Sequence, residues 1–405
     1  MKKQITLRWV ATSLVFGLLA SNTCGAMVSS VKAMGVAGAT TAYAQDAAVA
    51  AYNPALGLDV ENRWDLGVTA TYWKKETTIR GDKYSATRDV SILPDFGLNY
   101  VYNDCWAFGI AVFNRDYFKT HYRRALSDFG TSHARFDYQQ GTIQLRLTHR
   151  IAECHVFGAS LDIHLSRFKL DGFENFATSA HSTYPTAVTG RGYDYSNGYG
   201  FTLGWLWHAS ECVDLGTSFS NKVEMRQFDR YRGILATRDI DVPAVWRIGA
   251  AYRPTRCLTL LADFEYIWNG DILSLNNDFS GTIAGSREGP GFAWRDTYLI
   301  KAGVEYAVNS CLDIRLGYRF ERCRFGRDKA GTYLNVLVVQ PMEHFATVGL
   351  TYVFDCMTEI SFFGEWGFNR SVKGSIQTIG EFIGSGEFNN KGTNASLGLS
   401  IGRRF

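Results

Sequence analysis

The chain reads as an all-β protein, a fourteen-stranded antiparallel transmembrane β-barrel with an N-terminal hatch segment plugging its lumen. Three observations predict this. A short turn carrying a cysteine recurs about every fifty residues, the segments flanking each turn alternate apolar with polar or small residues, and the last segment alternates up to a terminal aromatic. Composition agrees with strands joined by tight turns: 40 Gly, 27 Phe and 21 Tyr stand against only 7 Pro in 405 residues.

The N-terminus reads as an export signal over residues 1–26. Lys2, Lys3 and Arg8 form a basic start, Trp9 to Ala20 an apolar core, and Cys24-Gly25-Ala26 a small-residue cleavage site. Thr23, which precedes Cys24 where a lipoprotein signal wants Gly or Ala, argues against lipidation. The three cations account for the whole net charge of +3. A neutral mature chain has no electrostatic reason to bind nucleic acid.

The turn cysteines are Cys105, Cys154, Cys212, Cys257, Cys311 and Cys356, spaced by 49, 58, 45, 54 and 45 residues. Each interval holds an up-strand, a long loop, a down-strand and a short turn. Long loops on one side and short turns on the other match barrels whose strands cross a bilayer in about 9–11 residues. Six such turns separate seven hairpins, so fourteen strands are expected between Arg63 and Phe405, with the cysteines on the periplasmic rim. Parity supports a lipid-facing stripe. After Cys311, Leu312, Ile314, Leu316, Tyr318 and Phe320 oppose Asp313, Arg315, Gly317 and Arg319. A soluble sandwich would also alternate, but its apolar faces need be neither so long nor capped by aromatics. The terminal strand "ASLGLSIGRRF", ending in Phe405, resembles the signal read by the barrel assembly machinery of the bacterial cell outer membrane.

Residues 27–62 lack two-residue alternation and are rich in Ala, Gly and Ser, with a break at Asn53-Pro54. A small, irregular segment packed inside the lumen suits this composition. Here the sequence resembles the FadL/TodX outer-membrane transporters, in the order Met34-Gly35, Gly38, Asp46-Ala47 and Asn53-Pro54-Ala55-Leu56 directly ahead of strand one. The resemblance implies a hatch-plugged barrel that takes up long-chain fatty acids or other hydrophobic compounds by diffusion. It also implies lateral release into the membrane through a gap near a kink in the third strand. Asn114, Arg115 and Asp116 interrupt that strand's alternation, which fits either a kink or the end of the strand.

Parity turns Arg146, Arg247, Lys301, Arg315 and Arg319 inward beside Asp162, Asp263, Glu265, Glu305 and Asp313. Most are expected to form ion pairs across the lumen. Arg315 and Arg319 are the foremost candidates to meet a ligand carboxylate, followed by Arg247 and Lys301. His164, Asp162 and Ser160 share one face but are spaced about 7 Å apart, too far for a relay without other partners. No HExxH, GxSxG, phosphate loop or metal-spaced Cys/His set occurs, so neither catalysis nor a cofactor or metal is expected. An alternative reading is a surface porin or adhesin, disulfide-linked to Cys-rich envelope proteins through the rim thiols. Cys323 lies on the loop side and cannot join that set.

Overall fold

In the computed structural model, residues 30–48, 51–88, 90–279, 283–325, 332–355, 357–378 and 383–405 are described. The expected signal, residues 1–26, and Cys356 lie outside them. Fourteen antiparallel strands form the wall: β1 (Arg63–Ile79), β3 (Val90–Asn103), β4 (Trp106–Ala125), β5 (His133–Ala152), β6 (His155–Asp171), β7 (Asp194–Ser210) and β8 (Val213–Ser220) in the first half. The second half comprises β9 (Val245–Thr255), β10 (Leu258–Ile267), β11 (Thr297–Asn309), β12 (Leu312–Glu321), β13 (His344–Val353), β14 (Thr358–Ile376) and β15 (Gly386–Arg404). A four-residue strand, β2 (Asp82–Ser85), folds back on the end of β1 outside the wall count. Strands neighbour in chain order, and β15 pairs with β1 from Arg63↔Arg404 to Ile79↔Phe388, closing the sheet. Closure leaves neither the first nor the last strand with a free edge facing hydrocarbon, where unpaired backbone groups would each cost several kcal/mol.

Alternation decides which face each residue meets. On β1, Leu66, Val68 and Tyr72 are exposed outward while Asp65, Thr69 and Thr71 are buried inward. The outward stripe ends in rings near the short turns. Trp106 stacks on His149 with centroids 3.9 Å apart, and His155 lies between Trp205 and Trp207 at 5.8 and 5.9 Å. Such amphipathic rings settle at a membrane's headgroup level.

The short connections share one geometry. Residues 104–105, 153–154, 211–212, 256–257 and 310–311 are two-residue turns, each followed by a strand and preceded by a one-residue register shift. The described parts of the long connections, residues 172–193, 221–244, 268–279, 283–296, 322–325 and 332–343, fold back over the opposite mouth. They are less polar than their composition suggests. Phe173, Phe228, Tyr231 and Phe325 are fully buried there, and Phe129 of the β4–β5 connection and Tyr333 join them in one continuous apolar cluster with inward strand residues such as Phe118, Phe136 and Phe168. The upper half of the lumen is therefore an apolar core, and the lower half a polar one.

Candidate functional site

Residues 30–48 and 51–62 fill the polar half. Ser30 caps the short helix α1 (Val31–Gly35) by accepting from the Ala33 amide at 3.0 Å. Its hydroxyl also donates to Asp46 at 2.5 Å. Met34 packs on Val31 and Phe363 of the wall, while the Gly35 carbonyl accepts from Thr347 of β13. Ala37 and Gly38 take left-handed backbone angles, φ 58° and 78°, and turn the chain off the helix. Asp263 of β10 then receives the Thr40 and Thr41 amides at 2.9 Å and the Thr41 hydroxyl at 2.7 Å. Asn53 caps the following 3-10 turn, Pro54–Leu58, by accepting from Ala55, and its amide bonds Thr41 and Trp205 carbonyls. Pro54 accepts from Thr148 at 2.7 Å, and Ala55 is fully buried. The Asn-Pro break predicted from sequence is thus a capped turn bonded to the wall.

That turn sits in a notch made by glycine. Gly158 of β6 and Gly204 of β7 face one another in register. A Cβ at Gly158 would stand 2.1 Å from the Pro54 carbonyl carbon, and one at Gly204 would stand 2.0 Å from the Asn53 side chain. Inward glycine in a strand here marks close approach of another backbone. The charged end of the segment is held as well. Glu359 of β14 accepts from both Lys32 and Arg63, and Arg63 also bonds Asp65 at 2.6 Å.

Above the segment lies a cavity of about 60 Å³. Arg115, Arg247, Lys301, Arg319 and Arg324 line it against Asp116, Glu265 and Glu321, an excess of cations. Glu265 accepts from Lys301 at 2.6 Å and from Arg247 at 3.3 Å, and the ring of Tyr52 lies 5.4 and 5.9 Å from the same two cations. Arg319 bridges to Glu365 at 3.1 Å, and Arg324 to Glu321 at 3.1 Å. Arg315 lies elsewhere. Its guanidinium is held by Glu305 at 2.5 Å and Thr351 at 2.7 Å, beside Gly35 and outside the cavity. Of the four candidate cations, three meet in one place, and both foremost candidates are ion-paired. Tyr52, Glu321 and Arg324 line the site without having been singled out by sequence. Arg324 follows the end of β12, where alternation no longer says which way a side chain points.

Arg115 and Asp116 reach the cavity because β4 does not end there. Asn114 pairs with Gly141 and Asp116 with Gln140, leaving Arg115 as an extra residue, a β-bulge, and the strand runs on to Ala125. The bulge reverses parity: Ala107 and Ala111 face inward below it, Phe118 and Tyr122 above it. The Arg115 guanidinium donates to the Pro243 carbonyl at 3.1 Å.

The bulge also coincides with a break in the wall. The β3–β4 ladder stops at Phe96↔Val112. Above that point β3 pairs only with β1, up to Val90↔Tyr72, and β4 only with β5. The two sides meet again at the Ala86↔Tyr122 bridge. Pro94, which has no amide hydrogen to offer, stands at the base of the gap, and Asn114 spans it by donating to the Pro94 carbonyl at 3.1 Å.

The remaining sequence candidates fall outside this site. His164 bonds Thr142 at 3.0 Å, while Asp162 bonds Ser160 and Thr202, so no His–Asp relay forms. No group of three metal-ligating side chains occurs among the described residues. Cys105, Cys154, Cys212, Cys257 and Cys311 all carry free thiols on the short-turn rim, and Cys323 is buried under the long loops.

The fold and the sequence both have known counterparts. A family model described as outer membrane protein transport protein (OMPP1/FadL/TodX) matches residues 18–373. Among solved structures, a FadL homologue from Pseudomonas aeruginosa is 15% identical, with 95% of this chain and 100% of that one covered, at a TM-score of 0.72. The toluene transporter TodX of Pseudomonas putida, 15% identical, covers 92% and 97% at 0.67, and TbuX of Ralstonia pickettii, 13% identical, covers 92% and 98% at 0.65. At such identities these structures speak for the fold alone. No curated protein sequence matches the chain. With nearly nine-tenths of its length matched by the family model, the chain belongs to the OMPP1/FadL/TodX family of outer-membrane transport proteins.

Proposed function

We propose that the protein carries long-chain fatty acids, or hydrophobic compounds of similar form, passively across the outer membrane after export and loss of residues 1–26. The observation that carries this reading is the stacking of three environments along one line. An apolar mouth gathers the chain, a cation-rich cavity lies beneath it, and the β3–β4 gap opens sideways at the same height. A carboxylate would be drawn toward Arg247, Lys301 and Arg319 while its hydrocarbon tail stays among the Phe and Tyr side chains. A cavity of about 60 Å³ holds a few waters and no fatty-acid chain, so entry requires the hatch or the loops to yield. Residues 27–62 then serve as the hatch, and the bulge at Asn114, Arg115 and Asp116 as the lateral exit. The last strand, ending in Phe405, would be the part that the assembly machinery engages.

The test is entry of labelled oleate into liposomes holding purified protein. Oleate should equilibrate faster than in empty liposomes, and an R247Q/K301Q variant should slow oleate while leaving toluene unchanged. Oleate entry at the empty-liposome rate, with free passage of small sugars, would refute the reading.

A further inference from the structure

Among the described residues, no rim cysteine lines the lumen cavity. Each of the five described rim cysteines is the second residue of its two-residue turn. In every case its carbonyl accepts from the next hairpin, from Arg150, His208, Arg253, Ala307 and Val353 in turn, at 2.8–2.9 Å. The backbone contact needs no particular side chain, so it does not explain why the residue is cysteine five times. Nor does packing. Cys105, Cys257 and Cys311 are exposed and Cys154 and Cys212 half-buried, although free cysteine is ordinarily among the most buried residue types.

Geometry excludes chemistry among the thiols themselves. Successive rim turns are two strands apart, about 10 Å, whereas a disulfide needs Cα atoms within about 7 Å. A shared metal would need sulfurs closer still, each about 2.3 Å from the ion. The rim thiols therefore stand singly, one per short turn, three of them exposed and two half-buried. A second barrel in the same membrane lies alongside with its own rim pointing the same way. What meets this face is a molecule below it.

We propose that the periplasmic rim is a docking surface for a disulfide-bearing periplasmic protein, joined to the barrel through mixed disulfides at Cys105, Cys154, Cys212, Cys257 and Cys311. The step is thiol–disulfide exchange. A rim thiolate attacks one sulfur of the partner's disulfide, the partner's S–S bond breaks, and a new S–S bond joins the two chains. The partner's leaving sulfur departs reduced and takes up the proton that the rim thiol released, so the partner disulfide is the oxidant and no other is needed. Cys323 supplies an internal contrast. It is buried beneath the long loops, and burial pushes its thiol up to about 12, away from the reactive thiolate.

The experiment uses whole cells producing the epitope-tagged full chain, with thiols blocked by N-ethylmaleimide before lysis and envelopes run on non-reducing gels. The chain is expected in bands well above 45.3 kDa that collapse to monomer on reduction and contain a second protein. Serine at the five positions, and at Cys356 so that no equivalent turn thiol remains, should abolish those bands, whereas C323S should leave them intact. Heat-modifiable migration checks that the serine variant still forms the barrel, and restoring one rim cysteine at a time should restore one cross-link. Monomer alone with every rim thiol alkylated, an intrachain disulfide, or bands made solely of this chain would each overturn the proposal.

Discussion

The glycine notch yields the sharpest perturbation. Gly158→Ala adds one methyl 2.1 Å from the Pro54 carbonyl carbon, 2.3 Å from its oxygen and 2.4 Å from the Ala55 nitrogen. All three are backbone atoms, so no side chain can swing away. The β6 strand cannot yield either, because Gly158 is paired to Thr148 on one side and Gly204 on the other. The Pro54–Leu58 turn must back off by more than 1 Å to regain ordinary contact near 3.5 Å. That movement breaks the Thr148–Pro54 and Asn53–Trp205 hydrogen bonds. Overpacking costs about 1–3 kcal/mol and each of the two lost bonds about 0.5–1.5 kcal/mol, so seating of this turn weakens by about 2–6 kcal/mol. The population with the segment unseated rises at least about 30-fold, and up to about 20,000-fold at the top of that range. Single-channel conductance in planar bilayers reads this directly: G158A should open to small ions far more often than the unaltered protein. Gly364→Ala is the control, since its methyl would meet Val348 and Leu397 at 3.5 and 3.7 Å, ordinary contact distances. Wild-type conductance in G158A, with the barrel intact by heat-modifiable migration, would refute the seating argument.

Two further outcomes follow from named groups. Glu265 is the carboxylate shared by Arg247 and Lys301, so E265Q enlarges the cation excess. One charge about 6 Å from a ligand carboxylate is worth roughly 3 kcal/mol at an effective dielectric of 20, and lumen water leaves about a five- to tenfold gain in oleate half-saturation. An unchanged or weaker half-saturation in the liposome assay would contradict this. Asp239, in the loop between β8 and β9, has its carboxyl raised to about 6 by burial, against a hydrogen bond from Thr237 that lowers it. The folded loop favours the protonated form, so this contribution to stability is complete below about pH 4 and lost as pH rises through 6. Limited proteolysis of the loop should be slower at pH 4.5 than at pH 7.5, and D239N should flatten the difference.

How much of this was legible from sequence depends on how local the governing physics is. Lipid on one side and the lumen on the other impose a period of two, so the strands, their inward residues and their count could be read directly. The repeated cysteine turn fixed where hairpins begin. Ion pairing was less accessible, for a reason that Lys301 illustrates. Its partner in register is Asp263, yet Lys301 bonds Glu265, because Asp263 is already occupied by Thr40 and Thr41 of the N-terminal segment. A contact spanning more than two hundred residues rearranged a local pair. Arg315 shows the opposite case, since its register partner Glu305 is also its ion-pair partner. The interruption at Asn114-Arg115-Asp116 was visible, but one residue of bulge and the end of a strand look alike until the alternation beyond Tyr117 is known to pair with β5. The long loops carried no periodicity, and their collapse into an apolar mouth depends on loops from many hairpins meeting at once.

The closing seam has a consequence for the order of biogenesis. Residues 30–62 lead directly into β1, and β1 completes the cylinder only by pairing with β15 at the far end of the chain. That pairing is the most non-local in the molecule and bears the largest loop-closure entropy, which delays it. The segment it encloses bonds to β5, β7, β10, β13 and β14, spread around the circumference. An unclosed sheet already wrapped on this segment has its curvature set before the seam zips. The segment inside the finished barrel would then act also as a mandrel, touching the wall on five strands around its circumference.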